Sequence, residues 1–236
     1  MNYIRSIRLA PEAFRPGYPF DLPVARHLDC LELNSSIVFF VGENGMGKST
    51  LIEALAVCCG FNPEGGSRNF NFATRESHSA LHEALRLTWG SKRPRDGFFL
   101  RAESYYNVAT EIERLGDLAN FYGGSPHEQS HGESFLALVR HRLKGDGLYI
   151  FDEPEAALSP LSQMALLSAV HRLACDRSQL FIATHSPILM ACPDAQIFVL
   201  TEDGISETAY TETEHYQLTK QFLDNPARMI RRLLAP

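Results

Sequence analysis

Long hydrophobic runs are missing from this sequence of 236 residues. No apolar stretch approaches the roughly eighteen residues that a membrane-spanning helix needs, and residues 1–5 lack the apolar core of a secretory signal. Internal repeats, low-complexity tracts and long heptad runs are also missing, which excludes solenoids and extended coiled coils. We therefore expect a cytoplasmic protein with no direct membrane insertion.

Cysteine is scarce, and acidic residues outnumber basic ones. The five cysteines have no metal-ligand spacing, so we expect small core residues in a reducing compartment: Cys30, Cys58, Cys59, Cys175 and Cys192. A net charge of −6 argues against a generally basic nucleic-acid coat. Nucleic-acid contact stays possible at two local basic clusters, which are residues 92–95 and the group Arg228, Arg231 and Arg232.

Short apolar runs alternate with helical segments along the chain. Four of these runs have the length and composition of strands buried on both faces: residues 37–41, 97–101, 148–151 and 180–183. Residues 196–200 and 205–210 flank an Asp-Gly turn, which predicts an antiparallel hairpin. A short strand at residues 31–33 is expected to pair near the one at 37–41. The pattern predicts an α/β fold with a largely parallel central sheet and an antiparallel β subdomain.

The first apolar strand runs into a glycine-rich loop that is followed by a helix. The spacing G-x-x-x-x-G-K-S is that of a phosphate-binding loop, and its candidate ligand residues are Gly42, Glu43, Asn44, Gly45, Met46, Gly47, Lys48, Ser49 and Thr50. Glycines let successive backbone N–H groups surround an anion, and the helix N-terminus adds positive charge. Lys48 can reach the β- and γ-phosphates, and the Ser49 hydroxyl is a Mg²⁺ ligand. A chance glycine-rich turn is the alternative, but the flanking strand and helix favour a nucleotide site.

An acidic pair, Asp152 and Glu153, follows the predicted strand at residues 148–151. At the carboxyl end of a buried strand, Asp152 would hold Mg²⁺ while Glu153 would orient and deprotonate the attacking water. A solvated acidic turn is the alternative for such a pair on its own. With Lys48 upstream, the pair is a candidate for the second half of the nucleotide site.

Two further segments occur in a suggestive order. His185 follows the strand at residues 180–183, where a histidine can contact the γ-phosphate. Ser130 and Gly132 precede a predicted helix, as an N-cap and an exposed backbone N–H. Taken singly, such a histidine is more often a surface or hydrogen-bonded structural residue than a catalytic one, and the second segment is better explained as an ordinary capped helix with no ligand.

The four motifs together resemble those of ABC-type ATPases on the SMC- and RecF-like side. GENGMGKST is similar to their phosphate loop, SHGESFLAL to their signature, DEPEAALSP to their acidic strand end, and ATHSP to their switch-histidine segment. Over nearly the whole chain the sequence also resembles a family of small stand-alone bacterial predicted ATPases. The resemblance implies one P-loop NTPase domain over residues 1–236. Within it, the region from about residue 60 to about residue 130 would form a helical insertion that carries the signature.

The resemblance also implies a function. ATP would be hydrolysed to ADP and phosphate with Mg²⁺, and ATP would close a head-to-tail homodimer. The catalytic residues would be Lys48, Glu153 and His185. In such a dimer, Ser130 and the Gly132 N–H would contact the ATP of the opposite subunit.

The sequence departs from the family pattern at several positions. His131 stands where the first signature glycine usually lies, and Ser159 replaces the aspartate that usually follows the acidic strand. The glutamine that lines the Mg²⁺ shell has no clear counterpart, and Glu103 and Asn107 are its weak candidates. Tyr18 and Phe20 are the candidates for the adenine-stacking ring. No long coiled-coil arm separates the two halves of the chain, so this is not a chromosome-bridging SMC protein.

The output of the ATPase has more than one interpretation. By analogy with the SMC- and RecF-like motifs, we expect a cytoplasmic function related to DNA, RNA or defence. The alternatives are an energy-coupling ATPase subunit of a membrane transporter and a nucleotide-gated binding module with little turnover. A small-molecule kinase fits the phosphate loop but fits the signature and switch histidine poorly.

Overall fold

The computed structural model describes residues 2–68, 79–102 and 131–235. Within these ranges the strands are β1 (Ile4–Leu9), β2 (Cys30–Glu32), β3 (Ile37–Gly42), β4 (Leu85–Trp89), β5 (Asp96–Arg101), β6 (Gly147–Asp152), β7 (Gln179–Ala183), β8 (Gln196–Leu200) and β9 (Ile205–Glu207). The α-helices are α1 (Pro23–His27), α2 (Lys48–Cys58), α3 (Leu81–Ala84), α4 (His131–Arg142), α5 (Pro160–Cys175), α6 (Pro187–Met190), α7 (Glu214–Asp224) and α8 (Pro226–Leu233). Three short 3-10 helices join them at Pro11–Ala13, Pro154–Ala157 and Tyr210–Glu212.

The central sheet has six strands in the order β5-β6-β7-β3-β8-β9. The first five are mutually parallel, and β9 is antiparallel to β8 through the predicted hairpin. This confirms the predicted largely parallel sheet. Since the strands are parallel, their carboxyl ends meet at one edge, where Phe40 pairs with Ala183 and Arg101 pairs with Asp152. The segments that follow β3, β6 and β7 are therefore brought together.

Strand β3 explains why the sheet lies in the middle of the molecule. All six of its residues are buried, as expected for a parallel strand that is covered on both faces. Phe39 joins a core formed with α4 and α5. Phe40, which points to the opposite face, joins a second core formed with α1, α2 and the N-terminal strands.

A small antiparallel sheet in the order β2-β1-β4 forms the other β layer. The expectation that residues 31–33 pair near β3 is wrong, since β2 pairs only with β1 among the described strands. Two buried glutamine side chains of the central sheet form hydrogen bonds to the backbone of the small sheet and of the segment that follows it. Gln179 Nε2 donates to the Ile4 carbonyl (2.9 Å) and its Oε1 accepts from the Ile4 N–H (2.8 Å). Gln196 Oε1 accepts from the Asn34 N–H (2.9 Å), so the segment between β2 and β3 is hydrogen-bonded there to a side chain.

Several smaller expectations differ from the structure. The four prolines of residues 11–23 predict an extended loop, but the segment contains a 3-10 helix, and α1 begins at Pro23. Cys59 and Cys192 are buried, but Cys30 and Cys175 are exposed, so the expectation of core cysteines is wrong for these two. The sequence also favours a helix at residues 104–119, and that segment lies outside the described residues. In the part of the chain that the structure describes, no helix has the length and apolar character needed to cross a membrane.

Candidate nucleotide-binding site

The loop between β3 and α2 depends on glycine at both of its ends. Gly42 has φ of 143°, and a Cβ there would lie 2.2 Å from the Leu200 carbonyl oxygen. Gly47 has φ of 90°, and its Cβ would lie 2.4 Å from Val24 Cγ1. Left-handed backbone and close packing both exclude larger residues here. Gly45, also at positive φ, has nothing within 4 Å of its Cβ position, which leaves the middle of the loop open to a ligand.

Helix α1 supports the loop from outside. The Val24 N–H donates to the Met46 carbonyl (3.2 Å), and Val24 itself is buried. Glu43, Asn44 and Gly45 are exposed, whereas Met46 is half-buried. The support therefore holds the carboxyl-terminal half of the loop and leaves its tip accessible. Sequence reasoning missed this helix because it spans only five residues inside a proline-rich segment.

Lys48 begins α2 and points back at the loop. Its side chain donates from Nζ to the carbonyls of Gly42 (2.8 Å) and Glu43 (3.0 Å). Burial lowers the pKa of Lys48, and the neighbouring carboxylates of Glu153 and Asp152 oppose that shift. The ammonium therefore lies within the loop, where the β- and γ-phosphates of a nucleotide would be.

Ser49 and Asp152 line one cavity of about 200 Å³. Its other lining residues are Ala102, Glu153, Ala156 and Ala157. Within residues 2–68, 79–102 and 131–235, no group of three or more His, Cys, Asp or Glu side chains could enclose a metal alone. Mg²⁺ in nucleotide sites keeps several waters and takes its remaining ligands from phosphates. A hydroxyl and a buried carboxylate on one cavity fit that requirement.

Arg101 contributes a charge that the sequence did not predict. Its Nε lies 3.3 Å from Asp152 Oδ2, and its Nη1 lies 2.8 Å from Glu53 Oε2. Glu53 also accepts from the Ser79 N–H at 2.8 Å.

Arg101 occupies the strand position beside Asp152, close to the segment where the family glutamine is expected. The signal in the sequence was an arginine at the carboxyl end of a buried strand. Glu103 and Asn107, the sequence candidates for that glutamine, both lie outside the described residues.

Glu153 has a left-handed backbone and lies close to His185. Its φ and ψ are 47° and 52°, a left-handed conformation that costs a non-glycine residue about 1 kcal/mol or more. The conformation is held because the Glu153 N–H donates to the Ala183 carbonyl at 3.0 Å. Glu153 Oε1 lies 3.5 Å from His185 Nε2. The predicted base and the predicted switch histidine are therefore neighbours.

His185 is held on two sides. Its backbone N–H donates to Glu155 Oε1 (2.6 Å), and its ring Nδ1 lies 3.2 Å from His215 Nε2. Glu155 Oε2 is buried and has no hydrogen-bond partner among the described residues. Sequence reasoning missed Glu155 and His215. Glu155 was detectable as a carboxylate in place of the threonine in the aligned family motif, but His215 lies thirty residues away from His185 with no local pattern.

The signature segment is described only from residue 131 onwards. Ser130 lies outside the described residues. Gly132 lies in the first turn of α4, where a Cβ would be 2.9 Å from the Ala157 carbonyl oxygen. The signature helix therefore packs against the 3-10 helix that follows Glu153. Ser159, at the position of the usual aspartate, caps α5 by accepting from the Ser162 N–H.

The two candidate adenine-stacking rings have different environments. Phe20 is buried and packs against Phe14, with ring centroids 5.4 Å apart. It is part of the core and has no exposed face for a base. Tyr18 is 71% exposed, so it stays the candidate.

The fold is that of a P-loop NTPase domain, and the order of these motifs resembles that of ABC-type ATPases. A family described as "AAA domain" matches residues 18–113. A second family, described as "AAA domain, putative AbiEii toxin, Type IV TA system", matches residues 134–191. The first match contains the phosphate loop, and the second contains the acidic pair and His185.

Curated proteins and solved structures are similar at low identity. The thiamine import ATP-binding protein ThiQ of Vibrio cholerae is 29% identical, over 71% of this chain and 73% of that protein. The pyoverdine export ATP-binding/permease protein PvdT of Pseudomonas fluorescens is 26% identical, over 89% of this chain and 34% of that protein. The chain thus spans only about a third of the latter. A nucleotide-free ATP-binding cassette from an ABC transporter aligns over the full length of both chains, with a TM-score of 0.50 and 16% identity, and it shares the fold.

Proposed function

We propose that the chain binds ATP with Mg²⁺ and hydrolyses it to ADP and phosphate. The observation that carries this proposal is the meeting of Glu153 and His185, 3.5 Å apart, at the sheet edge where the phosphate loop also begins. Residues that follow three different strands contribute to one site. A structural salt bridge alone would need neither a glycine loop nor a lysine buried inside it.

Each residue has a distinct role in this proposal. The loop N–H groups and Lys48 bind the β- and γ-phosphates, and Ser49 and Asp152 hold the metal. A bound Mg²⁺ would neutralise negative charge that develops on the phosphates. Glu153 orients the attacking water and accepts its proton, and His185 donates a hydrogen bond to the γ-phosphate. Positioning and charge stabilisation supply most of the rate enhancement in such reactions.

We further propose that ATP closes two copies of the chain head to tail. In ABC-type ATPases the signature segment of one subunit completes the site of the other, and this is the part assigned to Ser130 and Gly132. The contact between α4 and the segment after Glu153 supports the proposal. In the proposed dimer, the signature of one subunit serves the partner's ATP site and its acidic pair serves its own site. The contact therefore connects the two sites, so that dimer closure and ATP hydrolysis would be coupled.

The output that we propose is a cytoplasmic function related to nucleic acid or defence. It rests on the match of residues 134–191 to a family whose description names a toxin of a type IV toxin–antitoxin system. Phosphate contacts by Arg228, Arg231 and Arg232 would make nucleic-acid binding weaken steeply with salt. Binding that ignores salt, or that survives neutralising these arginines together with residues 92–95, would remove nucleic acid as the partner.

A transporter subunit is the second candidate, because the similar curated proteins ThiQ and PvdT carry import and export names. Co-purification with a membrane protein, retained after a high-salt wash, would support the transporter. ATP hydrolysis that rises on adding DNA or RNA, with no membrane partner recovered, would support the nucleic-acid function.

A phosphate-release assay tests the enzymatic proposal directly. The wild-type chain should release phosphate from Mg-ATP, and Glu153→Gln should reduce the rate by roughly 10²–10⁴, the range for losing a general base. Glu12→Gln, which neutralises an exposed carboxylate on the first 3-10 helix, is the matched control and should retain the wild-type rate. A wild-type protein that binds ATP without releasing phosphate would instead be a nucleotide-gated binding module.

A further inference from the structure

His215 lies against the switch histidine from outside the four motifs. It is the second residue of α7, and its Nε2 is 3.2 Å from His185 Nδ1. The two ring centroids are 5.4 Å apart with the planes inclined at 50°. This is hydrogen-bond geometry between the ring nitrogens, and it leaves the other nitrogen of His185 facing Glu153.

We propose that His215 is a positioning residue that keeps the proton of His185 on Nε2, aimed at Glu153 and at the γ-phosphate. The proposal rests on the proposed ATPase function of the same site. It assigns to α7 a part in that site, although α7 follows every motif in the sequence.

The argument follows from the donor and acceptor capacity of imidazole. A neutral histidine has one N–H and one lone pair, so two neutral rings joined at Nδ1 and Nε2 must supply one of each. If His185 donated from Nδ1, its Nε2 would present a lone pair to the carboxylate oxygen of Glu153, and the two acceptors would repel. If His215 donates from Nε2, the Nε2 of His185 carries a proton and attracts that oxygen. The 3.5 Å separation of Glu153 Oε1 and His185 Nε2 therefore favours His215 as the donor.

The start of α7 is built to hold His215 in place. Thr213 is 1% exposed and caps the helix by accepting from the Tyr216 N–H. The Thr213 hydroxyl also donates to the Tyr210 carbonyl at 2.8 Å. Tyr210 in turn donates its hydroxyl to the Pro187 carbonyl (2.9 Å), two residues after His185 in the chain. The turn that carries His215 is thus tied to the segment that carries His185.

The charges around His215 agree with a neutral ring. Burial lowers the pKa of His215 most, and His185 and Lys48 lower it further, whereas Glu43 and Glu214 oppose the shift. His215 also lines a cavity of about 360 Å³, and four residues of the phosphate loop line the same cavity: Gly42, Glu43, Asn44 and Met46. The ring is therefore placed between the loop and the switch histidine.

Nitrogen NMR on the nucleotide-free protein tests the hydrogen bond without any reaction. Nitrogen-15 labelling of the nine histidines, with His185 assigned by its loss in a His185→Ala spectrum, reports which ring nitrogen carries the proton. At pH 8, where imidazoles of ordinary pKa are neutral, we expect His185 to be the Nε2–H tautomer in the wild type. In His215→Leu we expect a mixture of tautomers. A wild-type His185 protonated mainly on Nδ1, or a tautomer unchanged in His215→Leu, overturns the proposal.

Kinetics with a rescue variant separate positioning from packing. His215→Leu should lower kcat roughly 10- to 100-fold with KM changed less than about twofold, because the lost interaction acts in the transition state. His215→Gln, whose amide nitrogen is a donor at similar reach, should restore most of kcat. His171→Leu, at an exposed position on α5, is the matched control. Equal loss in the Leu and Gln variants overturns the proposal, and so does a kcat unchanged in His215→Leu. A wild type that shows the expected tautomer but releases no phosphate contradicts only the proposed ATPase function.

Discussion

Glu153 and His185 come from adjacent parallel strands and meet with Oε1 and Nε2 3.5 Å apart. Glu153 has a left-handed backbone at this point, and its N–H donates to the Ala183 carbonyl. The two residues are thirty-two positions apart in the sequence. Their proximity turns two separate motifs into one candidate catalytic pair.

Lys48→Ala should weaken ATP binding and abolish hydrolysis. The variant removes a buried cation that is placed for the β- and γ-phosphates, and no second lysine lies in the loop sequence. Fluorescent-nucleotide titration should reveal at least a tenfold weaker affinity, a change of about 1.4 kcal/mol in binding free energy. Because the core is untouched, the nucleotide-free melting temperature should change little. Wild-type hydrolysis by Lys48→Ala would show that this loop is not the site.

Arg101→Gln should destabilise the nucleotide-free protein. The side chain is 21% exposed and bridges Glu53 and Asp152, so its loss leaves two carboxylates close together without that cation. Removing one partner of a largely buried ion pair typically costs about 3–5 kcal/mol, and we expect the lower end of that range here. Urea unfolding measures the cost. Arg26→Gln is the matched control, because its ion pair with Asp21 is exposed and 3.7 Å long, and a similar loss in both variants would contradict the role given to Arg101.

Asp96→Asn should lower stability at neutral pH more than at acidic pH. Burial raises the pKa of the Asp96 carboxyl, but hydrogen bonding and the charge of Arg142, 2.6 Å away, outweigh burial and hold the pKa below its usual range. A pKa that is lower in the folded state stabilises the fold above the unfolded value of about 3.9, and that stability is lost as pH falls further. We therefore expect a loss of about 1–3 kcal/mol at pH 7, for hydrogen bonds to a charged group.

The pH series for Asp96→Asn has a clear control. Asp29→Asn changes an exposed carboxyl, so its unfolding free energy should stay close to that of the wild type at every pH. The difference between wild type and Asp96→Asn should shrink as pH falls below about 4, near the unfolded pKa. A difference that grows at acidic pH would have the wrong sign for a lowered pKa.

Local pattern predicted most of the central sheet and the phosphate loop. The runs at residues 37–41, 148–151 and 180–183 are apolar on both faces, and such strands need covering helices wherever they occur. Contacts distant in sequence were beyond this reasoning. The pairing of β2 with β1 depends partly on Gln196, more than 160 residues away. Likewise, the position of Arg101 at the end of a buried strand does not by itself indicate that it lies beside Asp152, because that pairing joins two strands distant in sequence.

The same limit applies to the site itself. Lys48, Ser49, Asp152, Glu153 and His185 belong to motifs whose spacing carries chemical meaning, so their roles could be predicted as hypotheses. Glu155 and His215 both contact His185. Glu155 belongs to a motif and could have been found there, whereas the contact of His215 depends on the tertiary fold and has no local pattern. Phe20 was a candidate for stacking because aromatic residues suit both a base and a core, and the structure assigns it to the core.

Light scattering on size-exclusion peaks of Glu153→Gln, with and without Mg-ATP, tests the central claim most directly. The variant should retain ATP, so the closed state that ATP favours should accumulate, and the peak should move from monomer to twice the monomer mass. Adding Ser130→Arg, which places bulk and positive charge in the signature segment, should return it to monomer. A Glu153→Gln protein that stays monomeric at saturating Mg-ATP would contradict the account and leave a phosphate-loop ATPase that works as a single subunit.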